Sequence, residues 1–196
     1  PIGVGYAWMN KLKKSNDKTI IFFGEGATET GVFHESINYA ALHDIPVIFV
    51  CENNLYSVYT HLEKRQSKHR NLKKICEGSG LKYFENDGTN IDNVLITMKK
   101  VIKFNKSSNK PIFIKFDTYR YLEHCGPNND DDLNYRRGSE IKYWEKKDFM
   151  KTALFKNSDI EFSKEKIKKE IKIAFDYARK SKFPPKQNLE KFIYSN

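Results

Sequence analysis

The stretch over residues 19–54 reads TIIFFGEGATETGVFHESINYAALHDIPVIFVCENN. Its β-branched and aromatic start, residues 19–23, predicts a buried strand that the triplet Gly24-Glu25-Gly26 ends. Apolar side chains at helical spacing then predict a helix over about 31–43, and a second strand follows over 46–50. A strand, a helix and a strand in this order usually form a parallel pair. The stretch therefore predicts an α/β fold.

The alternation continues beyond this unit. Residues 82–84 predict a short strand, and a segment resembling a capping box at 89–92 predicts a helix to about Lys103. A further strand is predicted over 111–116. We expect a doubly wound, mostly parallel sheet flanked by helices.

The C-terminal third changes character. Residues 126–138 are polar and acidic, and we interpret them as a loop that becomes ordered on binding. Ser163 is predicted to cap a long amphipathic helix that Pro184-Pro185 closes. We expect a single domain over residues 1–196, with a core over 1–137 and a helical extension over 138–196.

The composition excludes several classes of protein. The chain has 196 residues, of which 39% are hydrophobic and 14% aromatic, as expected of a folded domain. The net charge of +10 comes mostly from scattered lysines, which favours a solvated surface over a nucleic-acid-binding footprint. We find no stretch long and apolar enough for a membrane span and no secretory signal. Three separated cysteines without a C-x-x-C pair indicate a reducing compartment, so we expect a cytoplasmic protein.

Two polar motifs follow the first two predicted strands. Glu25 lies between two glycines, and Asn53-Asn54 follows the second strand. The carboxyl ends of adjacent strands are where α/β sheets bind ligands, and glycines let a backbone approach a phosphate closely. Carboxylate, amide and carbonyl oxygens are ligands that Mg²⁺ prefers. The motifs therefore predict a magnesium-bridged diphosphate site.

These motifs and their flanks resemble the alpha subunits of the thiamine-diphosphate-dependent 2-oxo acid dehydrogenases, those acting on pyruvate, branched-chain 2-oxo acids and acetoin. The family carries G-D-G followed, after about two dozen residues, by N-N. Here 26 residues lie between Gly26 and Asn53. The resemblance covers roughly residues 1–137. It implies a thiamine-diphosphate-binding fold with thiamine diphosphate and Mg²⁺ as cofactors. The family also has a segment before the position of Pro1 that contacts the phosphate.

The resemblance also implies roles for individual residues. Glu25 stands where the family has its metal-binding Asp, Asn54 matches the second metal ligand, and Tyr56 matches the residue that offers its backbone carbonyl. The residues expected against the diphosphate are Gly24, Gly26 and Ala27. The side chain of Glu25 is one methylene longer than the family's Asp.

A second cluster, Thr118 to His124, follows the last predicted strand. In the family this loop meets the terminal phosphate of the cofactor, and Arg120 and His124 match its Arg and second His. His124 is accordingly the candidate catalytic residue. Leu122 replaces the family's first His and Cys125 replaces its regulatory Ser, so control by phosphorylation at that position is unsupported.

The resemblance implies that the chain acts with a partner. In the family a Glu of the beta subunit activates the cofactor, within an α₂β₂ assembly, so the chain alone is expected to be inactive on a 2-oxo acid. Transfer to a lipoyl-bearing acyltransferase is the family default, and carboligation or decarboxylation acting on an aldehyde or sugar is the alternative. A non-catalytic binding module of the same fold and a basic nucleic-acid-binding protein are the other readings.

Overall fold

The computed structural model describes residues 1–149, 157–188 and 191. The chain divides into two compact units, residues 1–152 and 153–196. The first unit holds the sheet and every predicted site residue. Parts of the predicted extension, at 150–156, 189–190 and 192–196, lie outside the described residues.

The first unit is built on a four-stranded parallel sheet with the strand order β1-β2-β6-β5. Its strands are β1 (Thr19–Gly24), β2 (Val47–Asn53), β5 (Lys82–Asp87) and β6 (Ile112–Asp117). Along the chain, β2 is followed by a small antiparallel hairpin, which pairs β3 (Tyr56–Ser57) with β4 (Thr60–His61) and precedes β5.

Within its described residues this unit has the helices α1 (Ile2–Leu12), α2 (Gly31–Leu42), α3 (Leu72–Gly78), α4 (Ile91–Ser107) and α5 (Gly138–Lys146). Short 3₁₀ helices cover Glu25–Glu29, Leu62–Lys64 and Asp131–Leu133. In the second unit, α6 (Asn157–Lys180) is followed by a 3₁₀ turn over Lys186–Asn188.

Helices cover both faces of the sheet, as β2 illustrates. Its side chains alternate between two apolar clusters, since successive residues of a strand point to opposite faces. Val47 and Phe49 pack in a cluster with residues of α1, α2 and α3. Ile48 and Val50 pack in another with Val101 of α4. The prediction of a doubly wound, mostly parallel sheet flanked by helices is confirmed.

Strand ends and helix starts differ from the sequence predictions. β2 continues to Asn53 and β5 to Asp87, each beyond its predicted end. The side chain of Asn90 caps α4 by accepting from two backbone N–H groups, whereas Thr89 donates to Asp87. The predicted cap at Ser163 is wrong, because α6 already begins at Asn157.

Sequence patterns did not predict α1, α3 or the hairpin. Gly3 and Gly5 lower the helix propensity of α1, but Val4 and Ala7 bury their side chains in the core. Packing therefore overrides local propensity in this helix. None of the described helices is long and apolar enough to cross a membrane.

Candidate functional site

The predicted motifs meet at one edge of the sheet. β1, β2 and β6 are adjacent and parallel, so their carboxyl ends lie side by side, with Gly24 opposite Glu52 and Asn53 opposite Asp117. The triplet with Glu25 follows β1, the two asparagines end β2, and the cluster with Arg120 follows β6. This edge is where α/β sheets bind ligands.

After β1 the chain turns into the 3₁₀ helix that begins at Glu25. The Thr28 hydroxyl donates to the Glu25 carbonyl at 2.6 Å, and the Thr30 hydroxyl caps α2 by accepting from a backbone N–H. These bonds fix the turn and leave Glu25 only 2% exposed. Gly24 and Ala27 are exposed. The turn thus presents backbone to solvent beside a buried carboxylate.

The two glycines differ in their surroundings. A Cβ atom on Gly26 would lie 3.0 Å from the Ser57 Oγ and 3.4 Å from the Arg65 Nη1, so a side chain there would crowd the hairpin. A Cβ on Gly24 would meet none of the described atoms within 4 Å. Gly26 is therefore required for close packing, whereas the space beside Gly24 is open to a ligand.

Two asparagines shape the turn after β2. The Asn53 amide donates to the Asp117 carboxylate at 2.8 Å, which ties β2 to β6. The side-chain oxygen of Asn54 accepts from the Tyr56 N–H at 3.0 Å. Leu55, between Asn54 and Tyr56, has a positive φ of 69°, which is an uncommon conformation for a residue with a side chain of this size. The half-buried Asn54 oxygen keeps a second lone pair for another partner.

Sequence analysis missed the partner of Glu25. The Arg65 Nη2 donates to the Glu25 Oε1 at 2.5 Å, its Nη1 donates to Glu29, and its Nε donates to the Thr60 carbonyl at 3.0 Å. The side chains of Arg65 and Glu25 are 12% and 3% exposed. Because 40 residues separate this pair, no local pattern could have indicated it.

The residues present fit a hard divalent cation. The second carboxylate oxygen of Glu25, Oε2, is buried and has no hydrogen-bond partner among the described residues. A buried, unpaired carboxylate oxygen is costly unless a cation meets it. No group of three or more His, Cys, Asp or Glu side chains in the described part of the chain could hold a metal. A metal here would therefore rely on the mixed oxygen set of Glu25, Asn54 and the Tyr56 carbonyl.

Arg120 contacts the hairpin at Val58 and lies beside His124. One Nη of Arg120 donates to the Val58 carbonyl at 2.7 Å, and the other lies 3.4 Å from the His124 Nδ1. Val58 has a positive φ of 53°, a genuine outlier for a β-branched residue. His124 is exposed. The structure thus brings the predicted Arg and His together, against the same hairpin that packs on Gly26.

The loop after β6 is organised by a buried arginine that sequence analysis also missed. Arg136 donates to Asp130, to Asp131 at 2.8 Å, and to the Arg120 carbonyl at 2.5 Å. Its side chain is 2% exposed. We expected this loop to become ordered on binding. Its ion pairs already give it a defined conformation without a ligand.

An aromatic cavity of about 630 Å³ lies beside the hairpin. Tyr56 donates its hydroxyl to Glu140 of α5 at 2.8 Å, which links the hairpin to that helix. The lining of the aromatic cavity includes four tyrosines, Tyr56, Tyr59, Tyr135 and Tyr143. Glu25 instead lines a smaller cavity of about 310 Å³ together with Arg70 and Lys115. The side chains of Glu25 and Tyr56 therefore face different spaces.

Burial raises the pKa of one thiol and one phenol in this region. Burial first, and the Glu25 carboxylate second, raise the pKa of the Cys51 thiol to about 12. Burial and the hydrogen bond to Glu140 raise the pKa of Tyr56 above its usual range. At neutral pH neither group carries charge.

A protein-family model described as dehydrogenase E1 component matches residues 1–187 of the chain. The alpha subunit of the pyruvate dehydrogenase E1 component from Rickettsia bellii is 29% identical, over 99% of this chain and 61% of that protein. The mitochondrial 2-oxoisovalerate dehydrogenase subunit alpha 1 from Arabidopsis thaliana is 32% identical, over 72% of this chain and 29% of that protein. The chain thus spans less than two thirds of the length of these relatives.

A solved structure with a similar fold is transketolase from Campylobacter jejuni. Its TM-score is 0.52 at 22% sequence identity, and the match covers 59% of this chain and 19% of that one. At this identity the likeness shows the fold alone.

Replacing Arg136 tests the ion pairs of the loop after β6. Arg136→Met leaves the buried Asp130 carboxylate without its cation, so we expect the free energy of unfolding to fall by roughly 3–5 kcal/mol. Thermolysin cleavage between residues 118 and 137 should also accelerate. The matched control is Arg137→Met, which removes the same charge from an exposed neighbour and should change stability by less than about 0.5 kcal/mol. Equal stability of the two variants would contradict this assignment.

Proposed function

Because the chain belongs to the dehydrogenase E1 component family, we propose that it is the alpha subunit of a thiamine-diphosphate-dependent 2-oxo acid dehydrogenase. In this proposal it takes part in the decarboxylation of a 2-oxo acid and in passing the acyl group to a lipoyl acceptor. The observation that carries the proposal is the buried Oε2 of Glu25, which has no hydrogen-bond partner among the described residues. A carboxylate so placed suits a magnesium ion that bridges to a diphosphate.

Each predicted residue has a role in the proposal. Glu25, Asn54 and the backbone carbonyl of Tyr56 would hold Mg²⁺. The backbone of Gly24, Gly26 and Ala27 would lie against the diphosphate, which agrees with the exposure of Gly24 and Ala27.

In this proposal Arg120 and His124 would meet the terminal phosphate. A guanidinium and an imidazole are suitable donors to a phosphate dianion. The contact between Arg120 and the Val58 carbonyl fixes the guanidinium before a ligand arrives, so less entropy is lost on binding. His124 stays the candidate catalytic residue, and its exposure leaves it open to a ligand.

When bound, thiamine diphosphate supplies the carbanion that attacks a 2-oxo acid and the ring that holds the electrons after CO₂ leaves. The contribution of this chain is to bind and orient the diphosphate end. We propose that a beta subunit supplies the Glu that activates the cofactor, in an α₂β₂ assembly, and that a lipoyl-bearing acyltransferase receives the acyl group. Three free cysteines support a reducing, cytoplasmic location.

The names of the relatives support a proposal for the substrate class. Those named above are subunits of pyruvate and 2-oxoisovalerate dehydrogenases, and both names refer to 2-oxo acids. We therefore propose a small 2-oxo acid as the substrate.

Cofactor binding can be tested by thermal denaturation. With thiamine diphosphate and Mg²⁺ together, at about 100 times the dissociation constant, we expect the midpoint to rise by roughly 5–10 °C. Either ligand alone should give a smaller shift. Glu25→Gln should abolish the difference, whereas Glu52→Gln, at an exposed position opposite Gly24, should retain it. A full shift in Glu25→Gln would show that the carboxylate is not a ligand.

Activity can be tested with and without the partner. The purified chain alone should release no CO₂ from a 2-oxo acid, and adding a beta chain of the same enzyme should restore release. Decarboxylation by the chain alone would refute the dependence on a partner. Undiminished activity of the complex carrying Glu25→Ala would favour the alternative of a non-catalytic binding module.

A further inference from the structure

We infer that Arg65 is a built-in cation that competes with the divalent metal for Glu25, so that metal affinity is set by the release of this arginine. The inference rests on the proposed function, in which Glu25 is a metal ligand. It adds a residue that determines how tightly the site binds the metal.

The contacts of Arg65 show that it is held firmly. All three nitrogens of its guanidinium group donate: Nη2 to Glu25 at 2.5 Å, Nη1 to Glu29, and Nε to the Thr60 carbonyl at 3.0 Å. The backbone N–H of Arg65 donates to the Leu62 carbonyl, at the end of the 3₁₀ helix. The hairpin and this 3₁₀ helix therefore position the guanidinium against the turn after β1.

The charge of Arg65 acts on Glu25 with little screening. The two side chains are 12% and 3% exposed, and in such surroundings charges interact much more strongly than in water. A buried carboxylate is stable as an anion only when a cation faces it. In the protein without metal, Arg65 supplies that cation.

A divalent ion at Glu25 can be accommodated in two ways. It can bind the free Oε2 while Arg65 stays on Oε1, at the cost of repulsion between the two cations. Alternatively, Arg65 can withdraw from Glu25 and remain on Glu29, which also accepts from the Gln66 side chain at 2.6 Å. In both cases the positive charge of Arg65 opposes the metal, so removing it should strengthen metal binding.

A different role for Arg65 would be direct binding of the diphosphate, since its Nη1 lies 3.4 Å from the position of a Cβ on Gly26. The two roles predict opposite results. Competition with metal predicts tighter metal binding when Arg65 is neutralised. Direct binding predicts weaker binding of thiamine diphosphate without metal.

The test is a Mn²⁺ titration of the full chain with thiamine diphosphate, followed by the electron paramagnetic resonance signal of free Mn²⁺. Binding of Mn²⁺ by the cofactor in buffer is measured separately and subtracted. Because Arg65→Gln removes a charged hydrogen bond to Glu25, we expect Mn²⁺ affinity to rise at least about tenfold. The matched control, Arg137→Gln, removes the same charge from an exposed residue that does not line the cavity of Glu25, and should change affinity less than about threefold.

Circular dichroism verifies that each variant is folded. Arg65→Lys is the second variant, because a lysine keeps the charge but lacks the fork that reaches two carboxylates. Its affinity should fall between those of the wild-type chain and Arg65→Gln, and it serves alone if Arg65→Gln does not fold.

Four outcomes would overturn the inference. Equal or weaker Mn²⁺ affinity in the Arg65 variants would do so while leaving the proposed function intact, as would an equal gain in Arg137→Gln. Weaker metal-free binding of thiamine diphosphate, without a gain in Mn²⁺ affinity, would assign Arg65 to the diphosphate instead. If neither the wild-type chain nor any variant binds Mn²⁺ with the cofactor, the proposed function is contradicted and this inference with it.

Discussion

The carboxylate of Glu25, withdrawn almost fully from water at the end of β1, imposes a requirement that its surroundings must meet. A charge in that position needs a counter-charge, because desolvation is far more costly than any single neutral contact can offset. One oxygen is met by Arg65, and the other has no hydrogen-bond partner within the described residues. Gly26 and the fixed turn around Thr28 bring the chain close enough for this arrangement. Burial of this one carboxylate therefore requires the fold to place a cation beside it.

The hairpin of β3 and β4 joins the separate parts of the site. Ser57 packs on Gly26 after β1, and the Val58 carbonyl accepts from Arg120 after β6. Tyr56 reaches Glu140 of α5, and the chain then returns through the 3₁₀ helix to place Arg65. Positive φ angles at Leu55 and Val58 are the backbone cost of this path. A short, strained segment thus determines the relative positions of groups from three strand ends.

Local patterns predicted much of this arrangement, and long-range pairs account for what they missed. The apolar alternation at 19–50 predicted β1, α2 and β2, because burial on both faces of a sheet leaves a direct mark on the sequence. The motifs at Glu25 and Asn54 were expected at one edge of the sheet, and the structure has both there, after adjacent parallel strands. Nothing near Glu25 in the sequence points to Arg65, and nothing marks Arg136 as buried. Such ion pairs depend on how loops return, which composition and periodicity do not encode.

The most direct test is where a divalent ion binds. A crystal structure of the chain with thiamine diphosphate and Mn²⁺, with the ion located by anomalous scattering, would answer this. We expect a single ion beside the diphosphate, held by Glu25, by the side-chain oxygen of Asn54 and by the Tyr56 carbonyl. An ion bound elsewhere, with the Glu25 carboxylate facing only Arg65 and packed protein, would contradict it.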